Sequence, residues 1–295
     1  LGLAMVGAAD MKQEALGAMQ TARAITPEMC FTDAAEMLEQ TAPELVMIAT
    51  TAPSHAALTI MAAQAGASNI LCEKPMAQSL AQCDAMVAAC ETTGTTLAIN
   101  HQMRFMEQYT KPEAMLKSEA HLEMARYMTG SKAKTIWAKF SEEDVPNPRG
   151  EQFKDKAGWL HIEMENGVRF SMDASSDQGH GLCVNYASHY GQIFIDELTG
   201  DMRETVRNED QRGFPTTRYG MPYGVTQLPI APADSLAPTQ SVLAALLAGE
   251  NYPNAAQSRL AVATLVAAYL SNERGGAPVS IEEADSEKER VFPWA

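Results

Sequence analysis

The chain has 295 residues, with 22 Lys and Arg against 37 Asp and Glu, and a formal net charge of −15. That length fits about two domains, and a composition of 46% hydrophobic and 20% charged residues excludes a disordered chain. The acidic balance excludes a nucleic-acid partner, which needs a basic stripe to meet phosphates. No apolar run reaches the ~18 residues of a membrane helix. Even Ala52–Gly66 is interrupted by Ser54, His55 and Gln64.

No basic segment followed by a hydrophobic core opens the chain, so no signal peptide is read. The five cysteines (Cys30, Cys72, Cys83, Cys90 and Cys183) are scattered without metal-ligand spacing. They are expected to be small buried hydrophobes in a reducing cytoplasm, with no metal site.

The first hundred residues alternate short apolar runs with helical patterns. Leu3–Ala9 reads as a strand and Met11–Ala24 as a helix, and Asp33 caps a short helix through Gln40. Glu44–Thr50 is the next strand, Ser54 caps a helix closing at Gly66, and Asn69–Glu73 is a third strand. Ser79, with Gln82 at capping-box spacing, opens a long helix that Gly94 ends, and Thr96–Asn100 is a fourth strand. Such alternation predicts an α/β fold with a parallel sheet covered on both faces.

After about residue 130 the pattern changes. Thr135–Ser141, Trp159–Glu165, Val168–Ala174, Leu182–Tyr186 and Gln192–Asp196 read as strands, with Asn166-Gly167 a hairpin turn. An antiparallel sheet is expected there. Residues 207–236, rich in Gly and Pro, are expected to form an irregular loop, and helices return at Thr239–Ala248 and Ala255–Asn272.

Parallel sheets bind ligands at the carboxyl ends of their strands. Asp10 follows the first strand, where it either accepts hydrogen bonds from a ribose or simply starts the next helix. Thr50, Thr51, Pro53, Ser54 and His55 follow the second and lead into a helix N-terminus, whose free amides suit a diphosphate or carboxylate. Plain capping by Ser54 and a first-turn role for His55 are the blander alternatives. Glu73-Lys74-Pro75 follows the third strand. Lys74 there can act as acid or base with Glu73 as partner, while Pro75 restricts its backbone. A surface lysine in a loop is the alternative. Asn100-His101-Gln102-Met103-Arg104-Phe105 follows the fourth strand at the same edge. Together the four ends predict a binding cleft.

The succession Ala49-Thr50, Pro53, His55, Ala65-Gly66, Leu71-Cys72-Glu73-Lys74-Pro75 and Asn100 with Arg104-Phe105 resembles the Gfo/Idh/MocA family of nicotinamide-dependent oxidoreductases. The likeness runs over residues 1–130 and continues more weakly in Tyr127–Gly130 and Asp196–Gly200. It implies a Rossmann-like domain over residues 1–108, truncated at its start. An α+β domain with an open, mainly antiparallel sheet over 109–295 would follow, for substrate and oligomer contacts.

The implied reaction is hydride transfer between NAD or NADP and a hydroxyl carbon of a sugar, polyol or related small molecule. Lys74 would handle the proton, Pro75 would follow a cis peptide bond, and Asp10 would bind the adenosine ribose. Thr50, Thr51, Pro53, His55, Glu73, Lys74, Pro75, Asn100 and Arg104 would line the cofactor site. NAD is favoured because Asp10 repels a 2′-phosphate and Met11 brings no positive charge, although Lys12 is near.

Two departures accompany the likeness. No Gly-x-Gly-x-x-Gly occurs, and in the family that turn belongs upstream of Leu3–Ala9. Only fifteen residues, Met106–Ala120, separate Phe105 from His121, which is the one candidate for the family's second catalytic residue. A first-turn helix histidine is the alternative there. The expected enzyme is cytoplasmic and homo-oligomeric through the C-terminal sheet, with no nucleic-acid or membrane partner. The rival is a family-like ligand-binding or assembly protein without redox activity.

Overall fold

The computed structural model describes residues 1–22, 25–116, 130–174, 181–215 and 220–294. The first half alternates strands and helices where its apolar runs fall. Strand β1 (Ala8–Ala9) leads to helix α1 (Gln13–Thr21) and pairs in parallel with β2 (Cys30–Phe31). The expected strand over Leu3–Ala9 is thus reduced to its last two residues, and Leu1, Leu3, Met5 and Val6 stand exposed. A strand persists only where a neighbour takes up its amides and carbonyls, and β2 offers that over two residues. Helix α2 (Ala34–Thr41) begins where the Asp33 carboxylate accepts from the Glu36 amide, as expected of an N-cap.

Strands β3 (Leu45–Ile48), β4 (Asn69–Cys72) and β5 (Thr96–Ile99) form a parallel sheet in that order, joined by α3 (Ala52–Gln64) and α4 (Leu80–Thr93). Helix α3 starts earlier than expected, because Pro53 stands at its first turn and Thr51 takes the cap position. Ser79 caps α4 by accepting from the Gln82 amide. The Gln82 side chain reaches back to the Gln78 amide at 2.9 Å, one residue beyond a capping box. No β1–β3 or β2–β3 ladder forms among the described residues, so the outer edge of β3 is open and Met47 on it is 54% exposed.

Helix α5 (Glu107–Leu116) leads to the second half, where β6 (Ala133–Val145), β7 (Asp155–Met164) and β8 (Arg169–Asp173) pair antiparallel. Strands β9 (Cys183–Ala187), β10 (Gly191–Asp196), β11 (Asp201–Arg207) and β12 (Tyr223–Gln227) form a second antiparallel sheet. The region expected to be an irregular loop therefore holds β12. Its residues are all exposed, and the short Tyr223–Val225 alternation is hidden among the prolines and glycines around it. Helices α6 (Leu236–Ala248) and α7 (Ala255–Glu273) follow, and β13 (Val279–Ser280) returns to the free edge of β6.

The late helices hold the first sheet. Ile70 and Ile99 point into a core shared with Met86 of α4, Val262 and Val266 of α7, Ile136 of β6 and Phe292. Leu71 and Ala98, alternating to the opposite face, are covered by Val242, Leu243 and Leu246 of α6. Each such buried aliphatic side chain contributes about 1.5–3 kcal/mol, so the sheet is rigid where its strands end. No helix among the described residues is long and apolar enough to cross a membrane.

Candidate active site

The β3–β4–β5 ladder pairs Ile48 with Cys72 and Cys72 with Ile99. Two more bonds extend it, from the Glu73 amide to Ile48 O at 2.9 Å and from the Asn100 amide to Cys72 O at 2.8 Å. Neighbouring strands lie ~4.8 Å apart, so the residues past the sheet's carboxyl edge stand in level rows. Ala49, Glu73 and Asn100 make the first row; Thr50, Lys74 and His101 make the second.

In the first row, Asn100 Nδ2 donates to Glu73 Oε1 at 2.5 Å and to Thr239 Oγ1 on α6 at 3.2 Å. The other Glu73 oxygen accepts from the Lys74 amide at 3.3 Å. Glu73 thus holds the Lys74 backbone, and among the described residues the ammonium has no ion-pair partner. Asn100 is 2% exposed and its Oδ1, oriented by the two bonds from Nδ2, is a buried acceptor without a partner. The Lys74–Pro75 peptide is cis, and the Lys74 side chain is exposed.

Beneath the second row lies His55, fully buried in the first turn of α3. Its Nδ1 is 2.8 Å from Pro75 O and its Nε2 3.0 Å from Thr50 O. Both ring nitrogens are therefore occupied by the chain itself, and the imidazole ties the end of β3 to the segment after Lys74. The Ser54 hydroxyl lies 2.7 Å from Thr50 Oγ1 and 3.0 Å from Thr51 O. Thr51 caps α3 without a side-chain bond; Pro53 brings no amide to that first turn and the Ser54 amide donates to Thr51 O at 3.1 Å.

Arg104 sits in the 3₁₀ turn Gln102–Phe105, where its Nη1 donates to Gln257 Oε1 of α7 at 2.9 Å. Asp10 ends β1, in the other parallel sheet. It is exposed, and its Oδ1 accepts from the Lys12 amide at 2.7 Å, ahead of α1. His121 lies outside the described residues, as do Tyr127, Met128 and Thr129.

Two residues that the sequence named only as members of a stretch, with no role of their own, carry unusual chemistry. His101 is half-buried in the second row, and burial together with the positive charges of Lys74 and Arg104 pushes its imidazole down to about 4. Its level with Lys74 follows from the strand register. Glu197, after β10, is 4% exposed and accepts a hydrogen bond from the Tyr109 hydroxyl of α5. Burial pushes its carboxyl up, and the Tyr109 bond offsets part of that. Glu197 lies in the Asp196–Gly200 stretch of the family likeness, which gave it no role of its own. Among the described residues no group of three His, Cys, Asp or Glu side chains comes together as a metal site.

Residues 2–101 match the oxidoreductase family with an NAD-binding Rossmann fold. Over that third of the chain the match is to the NAD-binding domain of the Gfo/Idh/MocA oxidoreductases. A D-apiose dehydrogenase from Paraburkholderia graminis is 44% identical over 104 residues, covering 35% of this chain and 27% of that protein. A 2,7-anhydro-N-acetylneuraminate hydratase from Mediterraneibacter gnavus is 28% identical over 157 residues, covering 52% and 40% respectively. The chain thus spans less than half the length of these curated relatives.

In fold the likeness is longer. An Agrobacterium radiobacter oxidoreductase, solved with NAD+, L-tartaric acid and magnesium, superposes with a TM-score of 0.74 at 20% identity, over 93% of this chain and 90% of its own.

Against NAD, the chemistry of two described residues is compatible. Asp10 is an exposed carboxylate at the end of β1, of the kind that accepts from ribose hydroxyls. Asn100 Oδ1 is a buried acceptor suited to an N–H or O–H donor such as a carboxamide.

Proposed function

We propose that this chain is an oxidoreductase that moves a hydride between NAD and a hydroxyl carbon of a sugar or polyol. Residues 1–108 form the nucleotide side and 109–295 the substrate side. The observation carrying this reading is the row at the sheet's carboxyl edge, where Lys74 stands exposed and, among the described residues, without an ion-pair partner, while its backbone is held by Glu73 and, through Pro75, by His55.

A bound nicotinamide would supply or accept the hydride. The chain's own task is the proton: when a carbinol is oxidised, its hydroxyl proton passes to an unprotonated Lys74 Nζ, and the ammonium so formed returns it when the carbonyl is reduced. Asp10 would hold the ribose and disfavour a 2′-phosphate. Thr50, Thr51 and Pro53 at the start of α3 and the edge residues Asn100 and Arg104 would line the rest. His121 remains the proposed second proton-handling residue. The unpaired cysteines support a cytoplasmic enzyme, and exposed Trp159, Tyr223 and Val225 on the antiparallel sheets support contact between copies there.

Fluorescence titration with NADH and NADPH, followed by turnover assays on D-apiose and a panel of aldoses and cyclic polyols, tests the reading. Saturable NADH binding with turnover is expected. Failure to bind either nucleotide would leave a ligand-binding protein of this fold instead.

A further inference from the structure

His101 enters the site through the register. It stands two residues beyond Ile99 on β5, as Lys74 stands two beyond Cys72 on β4, and those two residues are ladder partners. The His101 amide bonds back to Ile99 O at 2.6 Å, turning the chain at φ −83°, ψ 62° into the 3₁₀ turn that carries Arg104. The half-buried ring is therefore held beside Lys74 by backbone it cannot easily leave. Among the described residues it makes no hydrogen bond.

The charges facing the ring are the Lys74 ammonium from the neighbouring strand end and the Arg104 guanidinium from its own turn. Glu73, the acid of the adjoining row, is engaged by Asn100 and the Lys74 amide. Two cations against a half-buried ring disfavour the imidazolium. One ring nitrogen consequently keeps a lone pair across neutral pH. Arg104 already donates to Gln257, whereas the Lys74 ammonium brings three donors on a flexible four-carbon stem.

We infer that His101 is a positioning residue of this site, an imidazole that accepts a hydrogen bond from Lys74 Nζ and so aims that nitrogen at the substrate's hydroxyl or carbonyl oxygen. The inference rests on the proposed role of Lys74 and adds to it the group that directs the proton. A lysine without such an acceptor would spread over many rotamers and meet the substrate oxygen rarely.

Nitrogen-15 NMR of the imidazoles tests the contact on the full chain without substrate, with His101→Gln identifying the His101 signals among six histidines. The wild-type His101 signals should stay those of a neutral ring between pH 6 and 8. In Lys74→Met the unprotonated nitrogen should move downfield as its bond is lost. A ring that titrates between pH 6 and 8, or one unmoved by Lys74→Met, overturns the inference.

A second arm reads function. With NAD and whichever polyol the panel identifies, His101→Phe should lower kcat on the order of 10- to 100-fold with KM nearly unchanged. His101→Gln, which keeps an acceptor, should recover most of that loss. Equal kcat in wild type and His101→Phe also overturns it. If no polyol is turned over, the proposed function fails, while the NMR arm still decides whether His101 holds Lys74.

Discussion

Replacing His55 with Phe removes both ring nitrogens and puts a flat but somewhat larger ring into a fully buried site, so any overpacking adds to the loss. What changes is the partnership of two carbonyl oxygens, Thr50 O and Pro75 O, which lie 3.0 and 2.8 Å from the ring. A neutral imidazole donates through one nitrogen, and a buried carbonyl deprived of its donor costs about 1–3 kcal/mol. At roughly 2–4 °C per kcal/mol for a chain approaching this size, the melting temperature should fall by roughly 2–12 °C. His55→Ala should fall further, since it also opens a cavity worth about 2–5 kcal/mol for a large-to-small change.

The effect should be local as well as global. Amide exchange at Glu73, Lys74 and Met76 should accelerate in His55→Phe more than exchange in α4, because the tie from α3 to that segment is what was cut. Thermal melts followed by circular dichroism and residue-resolved exchange check both parts. A His55→Phe protein that melts within 1 °C of wild type, with unchanged exchange at 73–76, would refute the assignment of His55 as the tie between the two strand ends.

Three further outcomes are expected. Lys74→Met should cut turnover by roughly 10²–10⁴-fold, the usual worth of an acid–base group, with NADH affinity little changed; full turnover would remove Lys74 from the mechanism. Asp10→Ser should raise the use of NADP relative to NAD in paired kinetic assays, and an unchanged preference would mean that Asp10 does not meet the ribose. Glu197 concerns stability against pH. Its carboxyl is raised by burial, so the folded chain keeps the proton to higher pH than the unfolded chain, whose glutamates release it near ~4.3. Stability should therefore be full below that pH and decline as pH rises toward the folded value. Glu197→Gln has no proton to lose and still offers Oε1 to Tyr109, so in urea denaturation its advantage over wild type should widen from pH 5 to pH 8. A constant difference would contradict the buried acid.

Much of the fold was legible in the residues because its causes are local. Apolar runs marked β3, β4 and β5, and Asp33 and Ser79 bond amides three residues on. The Asn166-Gly167 pair set the turn where Gly167 takes φ +85°. The Lys74-Pro75 segment and the strand ends carrying Thr50, Glu73 and Asn100 were readable for the same reason, since a parallel sheet exposes the residues just past its strands.

What the tertiary structure alone decided depends on partners far away in the chain. Glu73 engages Asn100, 27 residues on, and Asn100 reaches Thr239, 139 residues on. Propensity and periodicity are blind at that range. His55 reads as a first-turn polar residue until Pro75 O, 20 residues later, arrives at its Nδ1. Helix α6, named from sequence only as a late helix, covers the Leu71 and Ala98 face of the first sheet, because that face was apolar and needed burial. Strand β12 escaped notice since its pairing with β11 comes from backbone groups, which any exposed sequence supplies. Local chemistry determined which residues stand at the edge of the sheet. Long-range packing determined which of them are held, and left the Lys74 side chain exposed.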